Sequence, residues 1–143
     1  MNEHTIKLLE ECCSGSKMAL SSLNQVRDYV LDDKLLSVMD TYKRKHERLE
    51  AHCTELLAEC GKCQKEPGVM ASTFSYITAE MKLMLRDDNH EIAKLMMDGC
   101  NMGIQSISKC HNDYPDASKD ASDIAEDLIK IEEDFMKDLK QFI

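Results

Sequence analysis

Apolar residues recur along most of this chain with the three- and four-residue steps of an α-helix, and the stretches that break the rhythm are few and short. In residues 34–60 the steps alternate almost without fault. Leu35, Met39, Tyr42, His46, Leu49, Cys53, Leu56 and Cys60 all fall on one helical face. Residues 117–142 repeat the pattern through Ala117, Ala121, Ile124, Leu128, Ile131, Phe135, Leu139 and Phe142. The first stretch, about 3–31, offers Ile6, Leu9, Cys13, Leu20, Leu23 and Val30, and residues 89–112 offer Ile92, Leu95, Met96, Met102, Ile107 and Cys110. Each stripe leaves one side of a helix in need of cover, and no helix can cover itself. Four helices of similar length in that position predict an all-α, antiparallel four-helix bundle.

The breaks support the same division. Asp32-Asp33 separates the first two stretches and supplies a cap for the second helix. Gly61 to Gly68 is a loop-like cluster. Asp87-Asp88-Asn89 is a softer break, and Tyr114 must leave the helical region because it precedes Pro115. A fifth segment, 70–86, remains. Continued through residue 112 it would run ~64 Å, against ~40 Å for residues 34–60, so the chain must break, and Asp88 or Asn89 followed by Glu91 is a suitable restart. Alone it would climb ~25 Å, enough for a short crossover helix that returns the chain to the other end of the bundle. An up-down path would instead leave it as a hairpin arm.

Composition narrows the class. The chain has 143 residues, 43% of them apolar, with two Pro, five Gly and no Trp. A single domain of that length buries ~68% of its unfolded surface in one core, so residues 1–143 are expected to form one domain. The 27 acidic and 18 basic side chains leave a net charge of −9. An acidic chain without a basic stripe argues against nucleic acid, where phosphate neutralisation supplies most of the affinity. No apolar run approaches the ~20 residues of a membrane span, and MNEHTIKLLEECC lacks the basic and apolar regions of a leader, so a cytoplasmic location is expected. The last 31 residues hold ten acids against four bases, while Lys43, Arg44, Lys45 and Arg48 make the second helix locally basic. Attraction between neighbouring helices accounts for that asymmetry, and recruitment of an acidic partner is the other reading.

A leading TIKLLEEC helix, the acidic step at Asp32-Asp33, a long second helix ending in ELLAECGK, a bridging segment, DDNHEIAKLMMDGCNMGIQSISKCHNDY and a closing acidic helix follow in order. This layout resembles the uncharacterised bacterial four-helix-bundle proteins grouped with the ferritin-like superfamily as a domain of unknown function, and it covers almost the whole chain. The resemblance implies a ferritin-like fold. In ferritin-like proteins it also implies a core metal site, with Glu from two helices and Glu-x-x-His from two others around a pair of iron or manganese ions. That set is incomplete here. The inward stripe of the last helix is apolar, Glu126, Glu132 and Glu133 are expected off its centre, and the segment has no His. The region DGCNMGIQS carries Asn101, Met102, Ile104 and Gln105 where such relatives tend to carry acids.

Few residues offer chemistry of their own. His46 sits on a buried stripe with Glu50 one turn on and His52 near by, so it is expected to be buried and bonded to a carboxylate or a backbone carbonyl, with His46 and Glu50 as a minor metal-ligand alternative. No phosphate loop, nucleophile elbow or paired-carboxylate motif accompanies it, and no catalytic or cofactor-binding residue is expected. Seven cysteines, an odd number in a helical chain without a leader, suggest reduced thiols. Cys12, Cys13, Cys53, Cys100 and Cys110 lie on or beside apolar stripes, where thiols act as small hydrophobes. Cys60-Gly-Lys-Cys63 closes a helix and could supply half a zinc site, with Cys110-His111 as the second half if a crossover brings both pairs to one end. Cys53, Cys60 and Cys63 on one face also look like the cysteine-lined bundles that store copper(I), although the last helix carries no thiol. Gly99 and Gly103, one turn apart inside a helix, suggest close approach of a neighbouring helix or subunit. These features predict a non-enzymatic bundle acting by association with a protein partner or with itself. Metal binding (Zn, Cu or Fe) through Cys and His is the competing class.

Overall fold

The structure, a computed structural model, describes residues 1–61 and 88–143. Within them the chain forms four helices, each started by the side chain the sequence places there. Helix α1 (Glu3–Arg27) begins where extended Asn2 turns its side-chain oxygen onto the Thr5 amide at 2.8 Å. Helix α2 (Asp33–Glu59) begins where Asp32 accepts from the Leu35 amide at 2.9 Å, and ends before Gly61, whose φ of 71° is the left-handed conformation glycine adopts freely. In α3 (Asn89–Asp113) the Asp88 carboxylate accepts from both His90 and Glu91, and the helix stops at Tyr114, ahead of Pro115. Ser118 caps α4 (Lys119–Leu139), which tightens into a 3-10 turn over Lys140–Phe142. The expected crossover helix at 70–86 lies outside the described residues. No helix among those described is long and apolar enough to cross a membrane.

Contacts at the helix ends fix the directions. Asn2 donates to the Asp116 carbonyl at 2.6 Å and the Ser118 amide donates to Thr5 Oγ1 at 2.8 Å, so the start of α1 meets the start of α4. Cys53 Sγ donates to the Leu9 carbonyl at 3.0 Å, so the end of α2 lies at that same end. At the other end His90 Nδ1 donates to the Phe142 carbonyl at 2.7 Å, joining the start of α3 to the end of α4. Helices α2 and α3 therefore run parallel, and the chain that leaves α2 at one end enters α3 at the other. Packing is most extensive within the α1–α2 and α3–α4 hairpins, then between α2 and α4, while α2 and α3 scarcely touch. The pairs α1–α2, α3–α4, α2–α4 and α1–α3 are antiparallel, while α1 and α4, which also pack together, run parallel.

Two apolar clusters form the core. One, near the α1–α2 turn, gathers Val26, Leu35, Met39, Tyr42, Ile92, Phe135 and Leu139, with the Tyr42 and Phe135 rings stacked 4.5 Å apart. The other, at the far end, gathers Leu8, Leu9, Cys12, Cys13, Cys53, Leu57, Ile124, Ala125 and Leu128. The α2 stripe is buried as expected from Leu35 to Leu56, with Leu57 added and Cys60 only half-buried. Three registers differ from expectation. In α1 the buried face runs through Thr5, Leu8, Cys12, Ser16 and Val26 as well as Leu9, Cys13 and Leu23, leaving Ile6 and Leu20 at its edge. In α3 Met102 is 44% exposed and Cys100 takes the core position. In α4 the centre passes through Ala125, Leu128, Glu132 and Phe135, and Ile131 is displaced to the side.

Candidate functional site

A polar layer separates the two clusters. His46 on α2 is fully buried between Tyr42 and Leu49, Glu132 on α4 is 6% exposed, and Ser16 on α1 is fully buried, its hydroxyl returned to the Cys12 carbonyl at 2.9 Å. His46 Nδ1 lies 2.7 Å from the Tyr42 carbonyl, an acceptor only, so Nδ1 carries a hydrogen. Its Nε2 meets Glu132 Oε1, one turn-to-turn contact across the α2–α4 face. Burial alone would pull the His46 pKa down. The Glu132 hydrogen bond, the Glu132 charge and the Tyr42 carbonyl together outweigh it, and the pKa is raised. One proton lies between Nε2 and Oε1, so the pair as a whole carries no net charge, and the raised pKa favours the form in which the ring is protonated.

Cys100 on α3 completes the layer. Burial, reinforced by the neighbouring Glu132 carboxylate, pushes its pKa up and holds it as the thiol. Gly103 faces Glu132 from the α3 side, where a Cβ would lie 3.6 Å from Glu132 Oε2, an ordinary contact distance. The close approach expected at the glycines is, at Gly103, that of a carboxylate from α4.

Above the layer, between α1 and α3, lies a cavity of about 170 Å³. It exists because both helices present small residues at matching steps, Gly15, Ala19 and Ser22 on α1 against Gly99, Gly103 and Ser106 on α3. Met96 and Phe135 add apolar wall, His46, Cys100 and Glu132 add its polar part, and Met18 and Met102 line it while remaining 36% and 44% exposed. No family model matches the chain, and no curated protein and no solved structure matches it either.

The residues singled out from sequence are distributed as follows. His46 is buried and bonded to both a carboxylate and a carbonyl, but the carboxylate is Glu132, which sequence spacing set aside; Glu50 is half-buried and borders a shallow basin with Lys17 and Gln25. Cys60 caps α2, its Sγ 2.7 Å from Met1 Sδ, and Cys110 and His111 lie at that same end on α3. His111 faces Glu126 of α4 at 3.9 Å, and Cys110 is half-buried with its pKa raised by burial. Cys60 and Cys110 thus share an end but stand on the two helices that scarcely touch. Cys63 lies outside the described residues. Among the described residues no group of three or more His, Cys, Asp or Glu is placed to hold a metal ion. Cys12, Cys13, Cys53 and Cys100 are buried as small hydrophobes, burial pushing the Cys12 thiol up to about 12. Glu132 and the cavity were missed, although the steps Ala125, Leu128, Glu132, Phe135 and Leu139 carry the same three-four rhythm as the apolar stripe.

Proposed function

We propose that the protein is a non-enzymatic, ferritin-like helical bundle that acts by association, receiving an apolar group of its partner in the cavity between α1 and α3. The ferritin-like reading is supported by the parallel course of α2 and α3, since bundles of that type join two hairpins by one long crossover. The observation that carries the function is the state of the polar layer. Both ring nitrogens of His46 are committed, one to a carbonyl and one to Glu132, so no free base faces the cavity from it. The adjacent Cys100 is held as a thiol rather than as a nucleophilic thiolate. Such a layer can orient a bound group but is poorly equipped to transform it. Among the described residues, the core carries His46 and Glu132 bonded to each other in place of an inward set that would hold two metal ions.

The test is occupancy. Benzene is the probe, because a cavity of ~150 Å³ lined by apolar side chains is known to accept it. It should shift the amide resonances of Gly15, Gly99 and Gly103 and raise the melting temperature. Ala19→Leu, which fills the cavity, should abolish both effects while leaving the helical circular dichroism unchanged. An unresponsive wild-type protein would refute the reading. Metal analysis of untagged protein purified anaerobically tests the competing class: about one ion per chain, lost in Cys60→Ser and Cys63→Ser, would put metal binding in its place.

A further inference from the structure

His46 and Glu132, the two charged-type side chains in the cavity wall, differ in what they leave free for a ligand. His46 has no N–H to spare, since Nδ1 is taken by the Tyr42 carbonyl and Nε2 by Glu132 Oε1. A carboxylate, however, has about four lone-pair sites, and His46 and the Cys100 thiol occupy only two of Glu132's. Glu132 Oε2 lies on the α3 side, 3.6 Å from the position a Gly103 Cβ would take, and both residues line the cavity. The strongest acceptor in the lining is therefore incompletely used, and the imidazole beside it has nothing left to donate. Around them the wall is mostly Gly, Ala, Leu, Val, Met and Phe, with the Ser22 and Ser106 hydroxyls and the Cys100 thiol as its other polar groups.

From this we infer that the partner's group received in the cavity has an apolar body of about one ring and a single uncharged hydrogen-bond donor, a phenol or an indole-type N–H, directed at Glu132. The inference rests on the association reading above and specifies its occupant. Volume sets the size: about 170 Å³ admits one ring and its substituent. Charge sets the class. The His46–Glu132 pair carries no net charge, so a cation or an anion would enter the site as an uncompensated charge. An anion would in addition find the imidazolium's donors occupied. A neutral donor meets neither obstacle and gains a hydrogen bond to an ionised acceptor, the stronger kind. Soft thioethers and the Phe135 ring suit an aromatic body.

Isothermal titration of the full chain with phenol, benzene and benzoate decides the matter, with the Gly15, Gly99 and Gly103 amides as the site-specific readout. Phenol should bind at least about tenfold more tightly than benzene, and benzoate should not bind. In Glu132→Gln, which keeps the shape but removes the charge, the advantage of phenol over benzene should fall to about threefold or less. Ala19→Leu should abolish binding of every probe and serves as the second variant should Glu132→Gln fold poorly. Equal binding of phenol and benzene would overturn the donor preference and leave the cavity reading intact. Binding of benzoate as tight as that of phenol would overturn the acceptor argument. Failure of all three probes up to their solubility would overturn the association reading and this inference with it.

Discussion

At either end of the bundle the helices close around aliphatic and aromatic side chains, with Leu35, Ile92 and Leu139 fully buried in one cluster and Leu8, Leu57 and Ala125 in the other. Halfway between, the same four helices meet around His46, Glu132, Ser16 and Cys100, and α1 and α3 stand apart enough to leave a cavity. The ends are held by contacts that have no direction and tolerate substitutes of similar volume. The middle is held by contacts that have direction, and there a change to one partner alone is costly. A small protein that could have filled its middle layer with leucine, and instead buried a polar pair beside an empty volume, has given up packing there.

The sharpest way to break the comparison is to treat both regions alike. Glu132→Met alone should cost about 3–5 kcal/mol in urea unfolding, because it leaves His46 buried without its partner. Adding His46→Leu should recover most or all of that loss, since an apolar pair of similar volume carries no desolvation penalty. A double variant no more stable than the single one would show that the layer contributes by packing rather than by charge. At the ends, Leu35→Ala and Leu57→Ala should each cost about 3 kcal/mol and add to within about 0.5 kcal/mol in the double variant, as independent cavities do. Strong coupling between them would mean that the two clusters are one.

A smaller effect is pH dependence. His46 has its folded pKa raised above the unfolded value of ~6.5, so its contribution to stability is fully present below pH ~6.5 and is lost as pH rises through the folded pKa. The size is moderate because burial, the largest single influence, opposes the shift. Wild type minus His46→Gln, followed by urea unfolding across this range, should show the decline, and a flat difference would contradict the imidazolium assignment. The smallest change expected is a gain: Gly103→Ala should add about 1 kcal/mol of helix propensity, since its methyl would meet Glu132 at ordinary contact distance. It should also weaken probe binding in the cavity. A loss of stability would mean that the carboxylate cannot yield.

How far sequence carries can be read from α2 and α4. In α2 every apolar step from Leu35 to Leu56 marks a buried residue, and His46 is legible because aliphatic neighbours on both sides fix its register. In α4 two adjacent candidates, Ile131 and Glu132, compete for one core position, and hydrophobicity favours the isoleucine. The structure favours the glutamate, because His46 stands opposite with a proton to share and Gly103 faces it from α3. That choice is made by three residues on three helices, and no periodicity within one segment encodes it. The caps at Asn2, Asp88 and Ser118 are local chemistry and follow from a few residues each. The cavity is the opposite case, since small residues on α1 and α3 become a void only when two helices distant in sequence are set side by side.

The buried pair also governs alignment. Helices that meet through leucines alone can slip past each other by one turn, ~5.4 Å, and find an almost equivalent set of contacts. A slip of α4 along α2 would bring Glu132 opposite Tyr42 or Leu49 instead of His46, leaving an ionised carboxylate and an imidazolium each buried without its counterion. The layer therefore acts as a vernier, rejecting neighbouring registers that the apolar clusters would accept. The apolar double variant, however stable, should lose this discrimination and show broadened or doubled resonances for the α4 amides, a native state that is firmer on average and less singular.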